Sequence, residues 1–370
     1  MDEPTQRRFS RAQVGRVGTD ACRVLLGTPV EILGGRARRR RRLADARAFV
    51  HRILASDSAA RAACGPRTLI ARMELTSTDV AVVIVSSPAQ PPCAVFKLPM
   101  TAPAVDGMLR ESRALAALHA DERLGDWRRL VPLSLASGTF EGRRYRVDTA
   151  LRGRVVLDRL REETSRRHML ESAAETIHVL HRATASSVDV DERLAAQWID
   201  APANDLLVHG AARGLGSQLG ALRDELRAAI VGQSLSAGWI HGDYWFGNLL
   251  FEAGEARPRG IVDWDAAGKP ALPVIDVLHL LLFTRRLITG RELGEIVAEK
   301  LRGRDWPEEE RRLLDRYGTW CHGDSLSDRQ VLLLCWLRHV AHHARQQGAD
   351  RTLGYRRWRS RNVRPVLASL

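Results

Sequence analysis

His241-Gly-Asp-Tyr-Trp-Phe-Gly-Asn248 and Ile261-Val-Asp-Trp-Asp265 are the segments from which the architecture of this 370-residue chain can be worked out. Between them, two short apolar runs flank the turn-rich segment 252–259, and this pattern predicts a β-hairpin. In an antiparallel hairpin, the start of the first strand lies beside the end of the second. We therefore expect Asn248 and Asp263 to lie close together.

The spacing between Asp243 and Asn248 indicates a particular chemistry. It follows H-x-D-x-x-x-x-N, the pattern of a catalytic loop in which the Asp accepts the proton of an acceptor hydroxyl and the Asn holds a metal ion. Mg²⁺ is usually bound by one or two protein groups together with substrate phosphates and waters. Asn248 and Asp263 would supply those protein groups, so the two segments predict phosphoryl transfer.

With this motif followed by Asp263-Trp-Asp265, the chain resembles the aminoglycoside phosphotransferase and choline kinase-like family over about residues 65–370. The resemblance implies an α+β, bilobal protein-kinase-like fold. Its small N-lobe would hold an antiparallel sheet and one helix, and its larger, mostly helical C-lobe would carry the catalytic hairpin. Gly242 stands where protein kinases have Arg, which favours the small-molecule branch of this fold.

The same resemblance implies roles for individual residues. Asp243 would be the catalytic base, with Asn248 and Asp263 as ligands of Mg²⁺. A buried Asp276 would brace the catalytic loop. Beside the base, we expect His241 to support the loop rather than to move protons, and Asp265 to add a contact to the metal or to the substrate.

Lysine is rare in this chain, although it contains 57 basic residues. Lys97 ends the strand-like run Cys93-Ala-Val-Phe-Lys97, which is similar to the V-A-I-K strand whose Lys contacts the α- and β-phosphates of a nucleotide. Glu111 follows within a helix that carries an apolar stripe, and its carboxylate is the expected ion-pair partner of that Lys. The alternatives are a solvated Lys at a strand end and an ordinary surface helix.

The remaining nucleotide contacts are less clearly marked, because no glycine-rich loop precedes Lys97. The candidates for phosphate contacts are three hydroxyl side chains in a predicted turn, Thr76, Ser77 and Thr78. A plain hairpin turn is an equal alternative. Further on, a strand-like run ends in the expected hinge between the lobes, where Thr149 and Leu151 would meet the nucleotide base. No side chain there distinguishes ATP from GTP.

Length and patterning predict more than one folded unit. Strand-like patterns lie between about residues 67 and 150, and helical periods dominate from about residue 165 onward. We expect a partly ordered N-terminal extension at 1–60 and an N-lobe for the nucleotide phosphates at 61–150. The C-lobe at 151–370 would hold the catalytic loop, the metal site and the acceptor.

The formal charge of +13 and the run Arg38–Arg42 raise the alternative of nucleic-acid binding. However, the basic residues are spread along the chain, aromatic residues make up only 5%, and no recognisable nucleic-acid module occurs. We therefore expect neither a nucleic-acid partner nor a membrane partner. The five cysteines form no C-x-x-C pair, which favours a reducing cytoplasm. Nothing in the sequence indicates the oligomeric state.

Two further patterns have competing interpretations. Cys321-His-Gly-Asp324 repeats the tripeptide without a following Asn at the required spacing, so it is predicted to be a turn between helices. His339, His342 and His343 share one face of a predicted helix. They form either a polar or inter-helix hydrogen-bonding cluster, which the absence of accompanying ligands favours, or a metal site.

The sequence therefore predicts an enzyme that moves the γ-phosphoryl group of ATP or GTP to a hydroxyl of a small molecule, with Mg²⁺. The alternative from another class is a catalytically silent kinase-like protein that partners a biosynthetic enzyme. A cationic acceptor would need carboxylates around it. The candidates for that lining, which are equally compatible with ordinary surface charge, are Asp305 and Glu308–Glu310, or Asp189, Asp191 and Glu192.

Overall fold

The computed structural model describes residues 29–65, 67–88, 91–318, 326–347 and 352–370. The second H-G-D tripeptide at 321–324 therefore lies outside the described residues. The chain forms a smaller lobe built on a β-sheet and a larger, mostly helical lobe. We propose a boundary between the lobes at about residue 150, where the chain leaves the sheet.

The smaller lobe contains a five-stranded antiparallel sheet with strand order β1-β2-β3-β5-β4. Alternate side chains of the second strand are buried, as expected for a sheet with one face on a core. The bounds of the strands are Leu69–Leu75 (β1), Val80–Ser86 (β2), Pro92–Pro99 (β3), Ser134–Phe140 (β4) and Arg143–Thr149 (β5).

The two faces of this sheet are covered by different helices. Helix α3 (Ala102–Ala120) contains Glu111. It is capped by the preceding Thr101, whose side chain accepts a hydrogen bond from the backbone of the first turn. Helices α1 (Pro29–Ser56) and α2 (Ser58–Cys64) lie in the predicted N-terminal extension. Part of α1 packs into the core of the sheet through four fully buried side chains: Ala46, Phe49, Val50 and Ile53.

The larger lobe contains two clusters of buried apolar side chains, and helix α8, whose residues 275–284 are buried, contributes to both. Its helices are Glu163–Thr184 (α4), Glu192–Ala195 (α5), Ala201–Val208 (α6), Gly216–Ile230 (α7), Val274–Thr289 (α8), Leu293–Leu301 (α9), Glu308–Tyr317 (α10), Asp328–Gln347 (α11), Leu353–Asn362 (α12) and Arg364–Leu367 (α13). Within the described ranges, no helix combines the length and the apolar character needed to cross a bilayer.

The two motifs singled out from the sequence lie next to strands of the larger lobe. The strands are Ser186–Asp189 (β6), Ser234–Ile240 (β7), Leu249–Phe251 (β8), Pro258–Ile261 (β9) and Gly268–Ala271 (β10). The predicted hairpin is confirmed, because β8 pairs antiparallel with β9 and Leu249 lies opposite Ile261. The catalytic-loop motif connects β7 to β8, and the second motif follows β9 directly.

Candidate active site

The loop that starts at His241 is held by a buried carboxylate. The backbone N–H groups of His241 and Gly242 donate hydrogen bonds to the two carboxylate oxygens of Asp276, each at 2.8 Å. Although burial opposes ionisation, a hydrogen bond from His181 at 3.0 Å helps to keep the pKa of Asp276 below its ordinary value. Gly242 has φ 79°, and a Cβ there would lie 2.3 Å from the carbonyl oxygen of Ala266. The loop therefore needs glycine at this position.

Both ring nitrogens of His241 are already engaged. Its Nε2 donates to the carbonyl oxygen of Val262 at 3.0 Å, and its Nδ1 accepts the backbone N–H of Asp243 at 3.2 Å. Burial lowers the pKa of His241, so the neutral ring is favoured. The ring also packs against Trp264, with 4.5 Å between ring centroids. This arrangement gives His241 the position of a support for the loop.

Asp243 and Asn248 lie in direct contact. The side-chain amide of Asn248 donates to the carbonyl oxygen of Asp243 at 2.9 Å and to its Oδ2 at 3.0 Å. The backbone carbonyl oxygen of Asn248 accepts the N–H of Val262 at 2.9 Å, which ties the end of the loop to the second strand of the hairpin. The side chain of Asp243 is 27% exposed, so it is accessible to an acceptor molecule.

Asp263 and Asp265 bring further carboxylates into the same region. Asp263 adopts a left-handed backbone conformation with φ 70°, a conformation that non-glycine residues rarely adopt. Burial and the nearby charges of Glu111 and Asp243, opposed by Lys97, raise the pKa of Asp263 to about 6. Burial and the charge of Asp263 raise the pKa of Asp265 to about 8. A divalent cation would relieve this repulsion, so the donor set fits a hard metal ion.

Lys97 and Glu111 form the predicted ion pair. The ammonium nitrogen of Lys97 lies 2.6 and 2.7 Å from the two carboxylate oxygens of Glu111. Despite burial, Lys97 and Arg146 keep the pKa of Glu111 low, and Glu111 in turn raises the pKa of Lys97. The backbone N–H of Trp264 also donates to Glu111, at 3.3 Å. Glu111 therefore connects the smaller lobe to the segment that carries Asp263.

Arg146 and Asp148 belong to the same network, and sequence analysis did not single them out. The guanidinium of Arg146 donates to Glu111 at 2.7 Å and to Asp148 at 2.8 Å, and all three side chains are buried. The signal was present in the sequence, because the two charged residues alternate with Tyr145 and Val147. In a strand, such alternation places the charges on the opposite face from the apolar core.

The candidate phosphate contacts lie in the turn between β1 and β2. The hydroxyls of Thr76 and Thr78 lie 2.9 Å apart, and Thr76 also accepts the N–H of Val80 at 3.1 Å, while Ser77 is exposed. Val80 pairs with Pro99 in the neighbouring strand. With about 3.3 Å per residue along a strand, this turn begins roughly 7–10 Å from Lys97 along the strand direction.

The two hinge candidates are both used structurally. The hydroxyl of Thr149 accepts the backbone N–H of Leu133 at 2.9 Å at the edge of the sheet. Leu151 lies against the hairpin, where a Cβ on Gly260 would approach it to 2.9 Å. The hinge therefore contacts the hairpin directly, and the nucleotide-binding role of both residues stays a prediction.

The neighbours of Asp243 on the side of α8 and α11 are imidazole rings rather than carboxylates. His279 of α8 places its Nε2 3.2 Å from Oδ1 of Asp243 and 3.1 Å from Nδ1 of His339. His339 thus forms an inter-helix hydrogen bond, which is one of the two predicted alternatives. His342 lies 3.6 Å from Asp265. His279 was missed, and its signal is the i, i+3 spacing from Asp276, which places both on one helix face.

Several of the carboxylates considered for a cationic acceptor pair with arginines instead. Glu310 pairs with Arg285 at 2.7 Å, Glu308 pairs with Arg312, and Glu192 pairs with Arg227. The first turns of α10 and α11 lie side by side, because Arg311 of α10 contacts Asp328 at the start of α11. His339 is eleven residues further along α11, which corresponds to about 16 Å. The structure therefore does not bring the carboxylates at the start of α10 to Asp243.

Comparisons with known proteins identify the family and the fold of the chain. The sequence model described as "Phosphotransferase enzyme family" matches residues 77–314. No curated protein matches the chain. A thermostable mutant of aminoglycoside phosphotransferase APH(4)-Ia, in its apo form, is 15% identical and aligns over 81% of this chain and 95% of its own, with a TM-score of 0.51. A putative aminoglycoside phosphotransferase from Ralstonia eutropha JMP134 is also 15% identical and aligns over 88% of this chain and 96% of its own, with a TM-score of 0.51.

At 15% identity, the solved structures show the fold alone, and it is the predicted bilobal protein-kinase-like fold. The family is shown by the match to the sequence model. It covers more than half of the chain and contains Lys97, Glu111 and both catalytic segments. The chain therefore belongs to the phosphotransferase enzyme family.

Proposed function

We propose that this protein transfers the γ-phosphoryl group of ATP or GTP to a hydroxyl group of a small molecule. The observation that carries the proposal is the hydrogen bond between the Trp264 N–H and Glu111, because it joins the Lys97 pair to the Asp263 segment. Phosphoryl transfer depends mainly on positioning and on neutralising charge. An arrangement that fixes a phosphate-binding Lys beside clustered carboxylates is suited to both.

In this mechanism, Asn248 and Asp263 would hold Mg²⁺, and Asp265 would add a contact to the metal or to the substrate. The bound ion would supply charge neutralisation for the β- and γ-phosphates. Lys97, aimed by Glu111, grips the nucleotide phosphates. The hydroxyls of Thr76, Ser77 and Thr78 and the hinge residues Thr149 and Leu151 would complete the nucleotide contacts.

Asp243 orients the acceptor hydroxyl and accepts its proton. Support for this role comes from the way the carboxylate is held: Asn248 contacts Oδ2, His279 contacts Oδ1, and the side chain keeps its exposure. The hydrogen bond from Asn248 to Oδ2 fixes the carboxylate, which therefore presents a constant direction to the incoming hydroxyl. His241 supports the loop from behind and takes no part in proton transfer.

The surroundings of Asp243 also favour one kind of acceptor. Trp245 and Phe283 lie with their ring centroids 5.4 Å apart, and Phe283 lies 5.0 Å from the ring of His339. Phe283 is buried, whereas Trp245 is partly exposed and offers flat, uncharged contact surface. We therefore propose an uncharged hydroxyl compound with an apolar or planar face as the acceptor, in preference to a polycation.

The nucleic-acid alternative is less consistent with the structure. In the run Arg38–Arg42, Arg42 pairs with Asp79, and Arg39 donates to the carbonyl oxygen of Leu75 at 3.2 Å. Both contacts anchor α1 to the turn between β1 and β2. Arginines used to hold the fold together are less available for a phosphate backbone.

The proposal is tested by incubating the full-length protein with Mg²⁺ and ATP or GTP across a panel of hydroxylated compounds. The panel contains uncharged aromatic alcohols, sugars, amino alcohols and aminoglycosides. Mass spectrometry would detect a phosphomonoester of at least one compound, and its formation would stop when Mg²⁺ is chelated. Nucleotide binding without any Mg²⁺-dependent transfer would favour the catalytically silent kinase-like protein.

A further inference from the structure

Three side chains with metal-binding atoms converge beside the catalytic loop: Asp243 from the loop, His279 from α8 and His339 from α11. Nε2 of His279 lies 3.2 Å from Oδ1 of Asp243 and 3.1 Å from Nδ1 of His339. The ligand atoms of all three lie within 4.8 Å of one another. Tetrahedral Zn²⁺ with bonds of about 2.0–2.1 Å places its ligand atoms about 3.3 Å apart. Both measured separations are close to that value.

The ring of His279 is oriented as a metal ligand would be. Its Nδ1 lies 3.2 Å from the carbonyl oxygen of Tyr244, and because a carbonyl can only accept, this nitrogen carries the hydrogen. The lone pair of the neutral ring is then on Nε2, which points into the cluster. Metal-binding histidines commonly donate their other N–H to a backbone carbonyl. Stacking on Phe283, at 4.2 Å between ring centroids, fixes the ring further.

Without a bound cation, the contact between Asp243 and a neutral His279 ring is unfavourable. If His339 donates its Nδ1 hydrogen to Nε2 of His279, the contact between the two rings is satisfied. Oδ1 of Asp243 then still faces the lone-pair side of His279 at 3.2 Å, which is repulsive. A cation at the centre of the three atoms removes that repulsion. The partly exposed side of Asp243 leaves room for a fourth ligand from solution.

We propose that Asp243, His279 and His339 form a binding site for a transition-metal ion such as Zn²⁺, separate from the Mg²⁺ site. Two imidazoles and one carboxylate suit Zn²⁺, whereas Mg²⁺ prefers the oxygen donors of Asn248 and Asp263. The two sites meet at Asp243, whose Oδ2 contacts Asn248 and whose Oδ1 contacts His279. A bound transition metal would occupy the lone pairs with which Asp243 accepts a proton, so it would inhibit the proposed transfer.

The test uses the full-length protein without an affinity tag, in excess Mg²⁺ and without nucleotide. Co²⁺ is the spectroscopic probe, and Zn²⁺ binding is measured by equilibrium dialysis with elemental analysis. We expect one equivalent of either ion, with the visible absorption of tetrahedral Co²⁺. His279→Gln and His339→Gln would weaken binding at least as much as the roughly 10–100-fold that loss of an outer-shell partner costs.

His343→Gln is the matched control, because His343 lies one turn after His339 and stacks on Trp358 at 4.3 Å between ring centroids. It should bind metal as the wild type does. Binding that is unchanged in both His279→Gln and His339→Gln would overturn the proposal and place the metal elsewhere, for example on cysteines. Absence of stoichiometric binding would overturn it as well.

Circular dichroism of each variant shows whether it folds, and the two histidine variants can be judged independently. The measurement involves no phosphoryl transfer. Its failure would therefore leave the proposed function intact, and a protein without transfer activity would still reveal the metal site.

Discussion

Glu111 accepts hydrogen bonds from Lys97, Arg146 and the backbone of Trp264. Among the described residues, no other carboxylate contacts Lys97 directly. The Lys partner of Glu111 was predictable, because Lys is rare in this chain and Lys97 lies in an apolar strand. Its contact with Trp264 was not, because it joins residues far apart in the sequence.

Replacing Asp243 by Asn should lower turnover by roughly 10²–10⁴, the range for loss of a general base. The nucleotide should bind as before, because Asn keeps the size of the side chain and Lys97 is untouched. Turnover is measured with the acceptor found in the compound panel, and nucleotide affinity by calorimetry. Full activity in Asp243→Asn would remove this residue from the role of base.

The ion pairs of Glu111 should make stability depend on pH. Although burial opposes it, Lys97 and Arg146 lower the pKa of Glu111 from 4.5 to about 2. The ionised carboxylate therefore stabilises the folded state above about pH 4.5, and this contribution is lost as the pH falls towards 2. Urea unfolding of wild type and Glu111→Gln should show a difference in unfolding free energy that shrinks over this interval. A difference that is constant with pH would contradict the assignment.

Among the elements, the hairpin β8–β9 was predictable and the helix pair α8–α11 was not. The hairpin strands are neighbours in the sequence, so turn residues between two apolar runs were sufficient to identify it. The contact between His279 and His339 joins helices separated by other elements, and only tertiary packing brings them together. Likewise, local pattern gave no indication that α1 would join the core of the sheet.

The contact between helices α9 and α12 leaves no room for a side chain at Gly294. A Cβ there would lie 2.3 Å from the carbonyl oxygen of Asn362 and 2.4 Å from its Cα, so α12 would have to move. Gly294→Ala should lower the free energy of unfolding by about 1–3 kcal/mol, the usual effect of overpacking. Gly220→Ala in α7 is the control, because a Cβ there meets nothing within 4 Å.

The Gly220→Ala variant should be more stable than wild type by about 0.5–1 kcal/mol, because alanine favours a helix over glycine. Thermal and urea unfolding of both variants provide the comparison. Equal effects of the two substitutions would show that α9 and α12 do not approach each other as closely as the structure indicates.

At the scale of the whole molecule, α1 is part of the smaller lobe. Phe49, Val50 and Ile53 are fully buried against the sheet, and burial of each is worth about 1.5–3 kcal/mol. Together they approach the net stability of a typical domain. Deleting residues 1–56 should therefore abolish cooperative unfolding of the smaller lobe.

Deleting residues 1–28 provides the comparison, because it retains all of the contacts described for α1. This shorter deletion should keep the cooperative unfolding that the loss of α1 abolishes. Cooperative unfolding of the protein that lacks residues 1–56, at the wild-type midpoint, would show that α1 is dispensable for the fold.

We propose that the two lobes together form one site for a nucleotide and Mg²⁺. The most direct measurement is a crystal structure with Mg²⁺ and a non-hydrolysable ATP or GTP analogue. We expect Mg²⁺ bonded to oxygens of Asn248 and Asp263 at about 2.0–2.1 Å, with Lys97 at the phosphates and Asp243 facing the terminal phosphate. A nucleotide bound away from Lys97, or a metal ion that contacts neither Asn248 nor Asp263, would contradict it.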